Sequence, residues 1–275
     1  MDTLQLSGIY IYPIKSLGGI SLSQATVESK GLRYDRRWML IDAEGTFVSQ
    51  RKYASLALLQ VEMQDEQILV YQKNAPSSRI CFPANLHQSE SIRVSIWDDL
   101  TIAFEVDSAV SEWFSAYLEF PVKLVMMSEE TRREVDPRYA SANEIVSFAD
   151  GYPILIIGQS SLNLLNEKLD NPVPMNRFRP NLVFSGGEAH LEDSFNDFSI
   201  GEVIFTAVKP CARCVLITVD QHTGEKSSEP LKTLSRYRLQ NNKVMFGQNL
   251  LHKGSGDLKI GDRLKIRKWK ERILS

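Results

Sequence analysis

The chain has 275 residues, 43% hydrophobic and 24% charged, a globular balance with length enough for two domains. Its 32 Lys+Arg against 34 Asp+Glu leave a net charge of −2, which argues against a nucleic-acid coat or a membrane-surface protein. No apolar run reaches bilayer length and no basic-then-apolar leader opens the chain, so the expected location is cytoplasmic. Three cysteines (Cys81, Cys211, Cys214) supply neither a disulfide scaffold nor the four thiolates of an iron–sulfur cluster.

In chain order, Leu4-Gln5-Leu6 leads into Ile9-Tyr10-Ile11-Tyr12, a strand stopped by Pro13. Arg37 to Ile41 and Thr46-Phe47-Val48 flank a Gly45 turn, which reads as a hairpin. Ile92 to Ile96 alternates and turns at Trp97-Asp98-Asp99 into Leu100 to Phe104, a second hairpin. Asp107 or Ser108 can cap a helix whose Val110, Trp113, Phe114, Tyr117 and Leu118 share one face, ending at Pro121. A domain boundary is placed there. Ser128 to Pro137 is charged and reads as an exposed loop. Ile154 to Ile157 is a buried strand, followed by a short helix capped by Ser160 or Ser161 and carrying Leu162, Leu165 and Leu169. Asn181 to Phe184, Val203 to Phe205 and Val215 to Val219 read as further strands, and Gly254 to Ile266 as a hairpin around Gly261-Asp262. Many short strands with few helices predict a β-rich α+β protein built on barrels or sandwiches.

The dinucleotide fingerprint, the P-loop, the nucleophile elbow and the paired-histidine zinc motif are all missing. The histidines (His87, His190, His222, His252) are scattered. What remains is Cys211-Ala212-Arg213-Cys214. A structural zinc site wants a second Cys/His pair, which is missing. A thioredoxin-like pair wants a helix after it, and Val215 to Val219 reads as a strand. Two small buried thiols beside a strand, or one thiolate ligand of a metal cofactor, remain open. Lys209 and Arg213 nearby favour the second, since cations favour the thiolate, the metal-binding form, and attract an anionic cofactor.

Several segments together resemble a known family. Tyr12-Pro13-Ile14-Lys15-Ser16 and Gly31 to Leu40 are similar to the MOSC N-terminal β-barrel domain. Arg177-Phe178-Arg179-Pro180-Asn181, Pro210 to Cys214 with Thr218-Val219-Asp220, Glu229 to Leu234 with Tyr237-Arg238, and Phe246-Gly247-Gln248-Asn249 are similar, in that order, to the MOSC domain. That domain is named for molybdenum cofactor sulfurases and shared with the amidoxime-reducing components. The resemblance implies an N-terminal β-barrel domain (1–121) packed on a C-terminal MOSC β-barrel domain (122–275) with a few helices. It implies a molybdenum–pterin cofactor, Mo-molybdopterin, between them. Cys214 would be the catalytic metal ligand, and cofactor contacts fall on Lys15, Ser16, Arg36, Arg179, Asn181 and Arg213. The chemistry of these side chains suits that role, since Arg grips phosphate with two donors, Lys adds a point charge, and Ser and Asn add neutral donors. Ala212 stands where some relatives carry Ser, and Asn249 where some carry Tyr.

The expected function is an oxidoreductase that reduces small N-hydroxylated substrates. Because the cysteines cannot ligate a cluster, electrons are expected from a separate protein, whether flavoprotein, haem or iron–sulfur carrier. The alternative is a non-redox carrier of molybdenum cofactor, or of its sulfur as a persulfide on Cys214. Cys211 is expected to be a structural neighbour.

Overall fold

A computed structural model describes residues 3–85, 90–140 and 144–270; His87 lies outside them. The molecule is strand-rich, α+β, and its largest sheet has nine strands. From one edge the order is Leu264–Trp269, Phe195–Ile200, Val203–Arg213, Lys243–Lys253, Ile154–Gly158, Leu182–Ser185, Gln5–Ile11 and Ile20–Leu22, with Leu239–Gln240 paired beside Lys243–Lys253. The first strand of the chain is therefore hydrogen-bonded on one side to a strand from the second half, Ile9 facing Leu182 in antiparallel register, and on the other to Ile20–Leu22. Alternation explains the packing, since inward-pointing residues are aromatic or branched. Phe184, Phe195, Phe198 and Phe205 form a ladder with neighbouring ring centroids 5.2–5.4 Å apart, buried with Leu6, Ile9 and Leu250.

The middle of the chain builds a separate core. A four-stranded sheet runs Trp38–Ile41, Lys123–Met126, Asp99–Glu105 and Ser91–Ile96, and Leu59–Gln64, Gln67–Gln72 and Ala75–Pro83 form a three-stranded meander. The helix Ser108–Leu118 lies on this core. Asp107 caps it by accepting from the Ala109 and Val110 amides at 2.8 and 3.3 Å. Val110 and Phe114 are buried, and Glu119 at φ 62° ends the helix two residues before Pro121. A further three-stranded sheet pairs Gly256–Lys259 with Gln24–Glu28 and Gly31–Leu32, tying the two halves together.

Four local expectations are corrected. Val215–Thr218 is one 3₁₀ turn rather than a strand, because these residues turn back to bury Ile217 against Phe178 and Phe246. Gly254 to Ile266 is no hairpin: Gly256–Lys259 pairs with Gln24–Glu28, and Leu264–Trp269 pairs with Phe195–Ile200. The helix Gln159–Asn166 is capped at Gly158, since the Ser161 hydroxyl instead donates to the buried Glu192 carboxylate at 2.8 Å, and Leu169 lies beyond its end. Thr46 to Val48 forms no extended strand: around Gly45 it makes two isolated bridges, Ile41 to Phe47 antiparallel and Thr46 to Ser95 parallel. Among the described residues no helix is long and apolar enough to cross a membrane.

Candidate functional site

One cavity of about 320 Å³ lies where the end of the first strand, the 149–152 loop, the 178–181 turn and the end of the long strand Val203–Arg213 meet. Lys15, Ser16, Arg36, Arg179, Asn181, Arg213 and Cys214 all line it, as do Cys211 and Asn249. Seven residues singled out from four distant stretches of sequence thus converge. Cys81, by contrast, is exposed on the meander.

The inner wall is built on Tyr12. Its ring is buried, its hydroxyl donates to the Pro180 carbonyl at 3.1 Å, and its amide donates to Asp35 Oδ1 at 2.8 Å. Two guanidiniums stack on the ring: the Arg36 and Arg179 carbons lie 4.4 and 4.2 Å from its centroid. Arg36 donates to Asp35 at 2.7 Å, to Asn181 Oδ1 at 3.2 Å and to the Arg179 carbonyl at 3.2 Å. Arg179 donates to the Leu17 carbonyl at 2.7 Å. Burial pushes the Tyr12 phenol up to about 12 and the Arg179 guanidinium down to about 10. Burial also opposes the charge on Arg36, but Asp35 and Tyr12 outweigh it and its pKa is raised.

Lys15 is buried, donating to the Phe148 carbonyl at 2.7 Å and to Asp150 at 2.5 Å. Burial lowers its pKa to about 8, although Asp150 pulls the other way. Packing around the carboxyl opposes its charge, but Asp150 is 63% exposed and the charge and hydrogen bond of Lys15 hold its pKa well below the usual carboxylate range. Asp150 is a cavity residue that sequence reasoning missed, since nothing in Ala149-Asp150-Gly151 distinguishes it from a surface turn.

Backbone conformation adds a second missed signal. Ser16, Arg36 and Arg179 have φ of 73°, 50° and 54°. Left-handed backbone is unfavourable for residues with a Cβ, and such positions concentrate at functional sites. Here three of them turn polar side chains into one cavity.

The outer part belongs to the long strand. Its register with Lys243–Lys253 shifts between Pro210 and Ala212, which places Cys211 in a bulge. Gly247 lies on the facing strand at φ 84°, where a Cβ would meet Ile157 at 2.7 Å and the Ile156 carbonyl at 2.9 Å. Arg213 donates to the Phe178 carbonyl at 2.6 Å and to Cys211 Sγ at 3.0 Å, while its Nε is buried without a partner. Both cysteines are free; Cys214 is exposed and precedes the 3₁₀ turn Val215–Thr218. That turn is too short for an aligned helix dipole.

Other singled-out residues brace the site. Arg177 pairs with Asp220 at 2.6 Å, and Arg238 and Gln248 both donate to Asp193. His190 is packed against Tyr237 and Phe246, and burial lowers its pKa to about 4, so it stays neutral. Six cations line the cavity (Lys15, Arg36, Arg51, Arg179, Lys209, Arg213) against one carboxylate, Asp150. Among the described residues no group of three or more His, Cys, Asp or Glu could hold a metal ion. The arrangement can bind an anion and present one exposed thiol, Cys214, beside the half-buried Cys211 that Arg213 engages.

Comparisons with known proteins agree in order and extent. Residues 3–121 match the MOSC N-terminal beta barrel domain and residues 143–265 the MOSC domain. The chain is 31% identical to mitochondrial amidoxime-reducing component 1 of Mus musculus, over 92% of this chain and 79% of that protein. It is 33% identical to mitochondrial amidoxime reducing component 2 of Rattus norvegicus, over 94% and 81%. It is 30% identical to the molybdenum cofactor sulfurase of Oryza sativa subsp. japonica, over 90% of this chain but 32% of that protein.

Proposed function

The chain belongs to the MOSC-domain family that includes the mitochondrial amidoxime-reducing components, and from that premise we propose that it is a molybdenum-cofactor oxidoreductase reducing N-hydroxylated compounds. The observation that carries this reading is the convergence of Lys15, Ser16, Arg36, Arg179, Asn181, Arg213 and Cys214 on one cavity.

The donor set fits an anionic pterin cofactor. Cations outnumber carboxylates six to one, and the buried Arg213 Nε has no acceptor among the described residues. One thiol faces outward where a metal could be met. A lone cysteine cannot hold a metal by itself, so the remaining soft donors must come with the cofactor. In this reading the two-electron chemistry at molybdenum is the cofactor's. The chain's own residues bind and orient. Lys15, Arg36 and Arg179 hold the phosphate charge, Ser16 and Asn181 add neutral donors, and Asp150 keeps Lys15 in place. Arg213 is fixed against the Phe178 carbonyl and orients the approach to Cys214. In this reading electrons come from a separate redox protein, the three cysteines of these 275 residues being too few to ligate a relay cluster.

Protein produced with cofactor biosynthesis intact is expected to contain stoichiometric molybdenum and pterin. It is expected to reduce benzamidoxime with dithionite-reduced methyl viologen and not with NADH alone. Protein free of metal and pterin would overturn the reading. The exposed thiol and the likeness to a sulfurase favour a second one, a carrier of cofactor or of its sulfur on Cys214. A cyanide-labile persulfide without turnover would select it.

A further inference from the structure

Two cavity cations have no place in the cofactor reading. Lys15, Arg36, Arg179 and Arg213 are each fixed by protein acceptors. Arg51 and Lys209 line the same cavity, yet neither side chain has a hydrogen bond or ion pair among the described residues. Each rests on aromatic rings instead. The Arg51 guanidinium lies 3.9 Å from the Trp97 centroid and 5.3 Å from that of Phe47, and Lys209 Nζ lies 4.5 Å from that of Tyr139. Stacking fixes a cation while leaving its donors free.

Trp97 is itself costly where it stands. It occupies the turn between Ser91–Ile96 and Asp99–Glu105 at φ 56°, a position that favours Gly or Asn, and its side chain is half exposed. Its ring packs edge-on against Phe47 at 5.3 Å and lines an outer groove with Phe47, Ser49, Arg51 and Asp98. Ser49 and Arg51 also line the cavity, so groove and cavity are continuous. A molecule entering along this path meets the half-exposed Trp97 with Arg51 stacked on it, and then Lys209.

We propose that Arg51, stacked on Trp97 and assisted by Lys209, selects aryl substrates that carry an oxyanion, a carboxylate or a phosphate, beside the N-hydroxylated group. The proposal rests on the reductase reading and names the substrate class for that site. Asp98 in the groove makes no ion pair with Arg51; Asp150, which attracts Arg51, is paired with Lys15, and Asp136, which attracts Lys209, is paired with Arg138, so neither cation has an ion-pair partner of its own among the described residues. Opposite charge raises local substrate concentration most strongly at low ionic strength.

The test compares benzamidoxime with its 4-carboxy and 4-phosphonooxy derivatives on the cofactor-loaded protein. The expected kcat/KM ratio favours the oxyanions by about tenfold at low salt and shrinks as ionic strength rises. A carboxylate-only or phosphate-only preference identifies which oxyanion the site takes. In Arg51→Gln the ratio falls toward one; in Arg51→Lys, which keeps the charge, it is partly restored. A wild-type ratio near one, or a ratio unchanged in Arg51→Gln, overturns the proposal. Calorimetric binding of benzoate against benzamide gives the same comparison without turnover. Should no amidoxime be reduced, the reductase reading fails, and the benzoate measurement still decides the anion preference.

Discussion

The inner wall and the mouth of the cavity use the same residue types to opposite ends. At the wall, Arg36 and Arg179 stack on one buried ring and spend donors on Asp35, Asn181 and backbone carbonyls. At the mouth, Arg51 and Lys209 stack on rings and keep their donors free, and Cys214 is exposed. A guanidinium locked by the fold gives a fixed charge at a fixed place, suited to a resident anion. A guanidinium locked only by stacking can exchange partners, as a passing substrate requires. The wall should therefore couple to stability and the mouth to turnover.

The largest expected effect is at the wall. Arg36→Met strands the Asp35 carboxylate, which is fully buried, and should cost about 3–5 kcal/mol of stability by denaturant unfolding. Next comes Cys214→Ser, proposed to remove the metal ligand. Turnover should fall by more than about 100-fold, beyond what loss of a merely orienting residue costs. Because the thiol is exposed, stability should stay within about 0.5 kcal/mol of wild type. If Arg36→Met left stability intact, or Cys214→Ser unfolded the chain, the contrast between wall and mouth would collapse.

Lys15 sharpens it through pH. Its pKa is lowered to about 8, so above that pH the cation is lost and pterin retention, followed by fluorescence, should weaken. Between about 8 and the unfolded value of 10.5 the unfolded chain binds the proton that folded Lys15 has released. Stability of the cofactor-free protein should therefore rise with pH in that window as far as Lys15 contributes. The two readouts run in opposite directions. Asp150→Asn removes the charge that raises the Lys15 pKa, and should move the retention midpoint to lower pH. The smallest effect belongs to Cys211→Ala, which loses one hydrogen bond from Arg213. Turnover should change by ~0.5 kcal/mol, the low end for such a bond.

Much of this molecule was legible along the chain because periodicity is local. The strand Gln5–Ile11, the hairpin of Ser91–Ile96 with Asp99–Glu105, and the helix capped by Asp107 follow from alternation, turn residues and capping chemistry. The seven residues that the ordered motifs marked all line the cavity, though Asp150, Arg51 and Lys209 line it too. Where local reading failed, a distant partner had decided. Val215 to Val219 has strand-like composition, but burial of Ile217 against Phe178 and Phe246 curls it into a 3₁₀ turn. Gly254 to Ile266 has hairpin-like spacing, but its two strands pair with different sheets.

The sequence by itself determined the strand-rich α+β class, the family, and the residue types gathered at the cavity, since these depend on spacing and side-chain chemistry. Only the tertiary structure decided which cations are spoken for and which are free. Asp150 beside Lys15, Tyr12 beneath two guanidiniums and Trp97 beneath Arg51 come from segments far apart in the chain. A charge's availability depends on what lies within a few ångströms of it, and that distance exists only after folding.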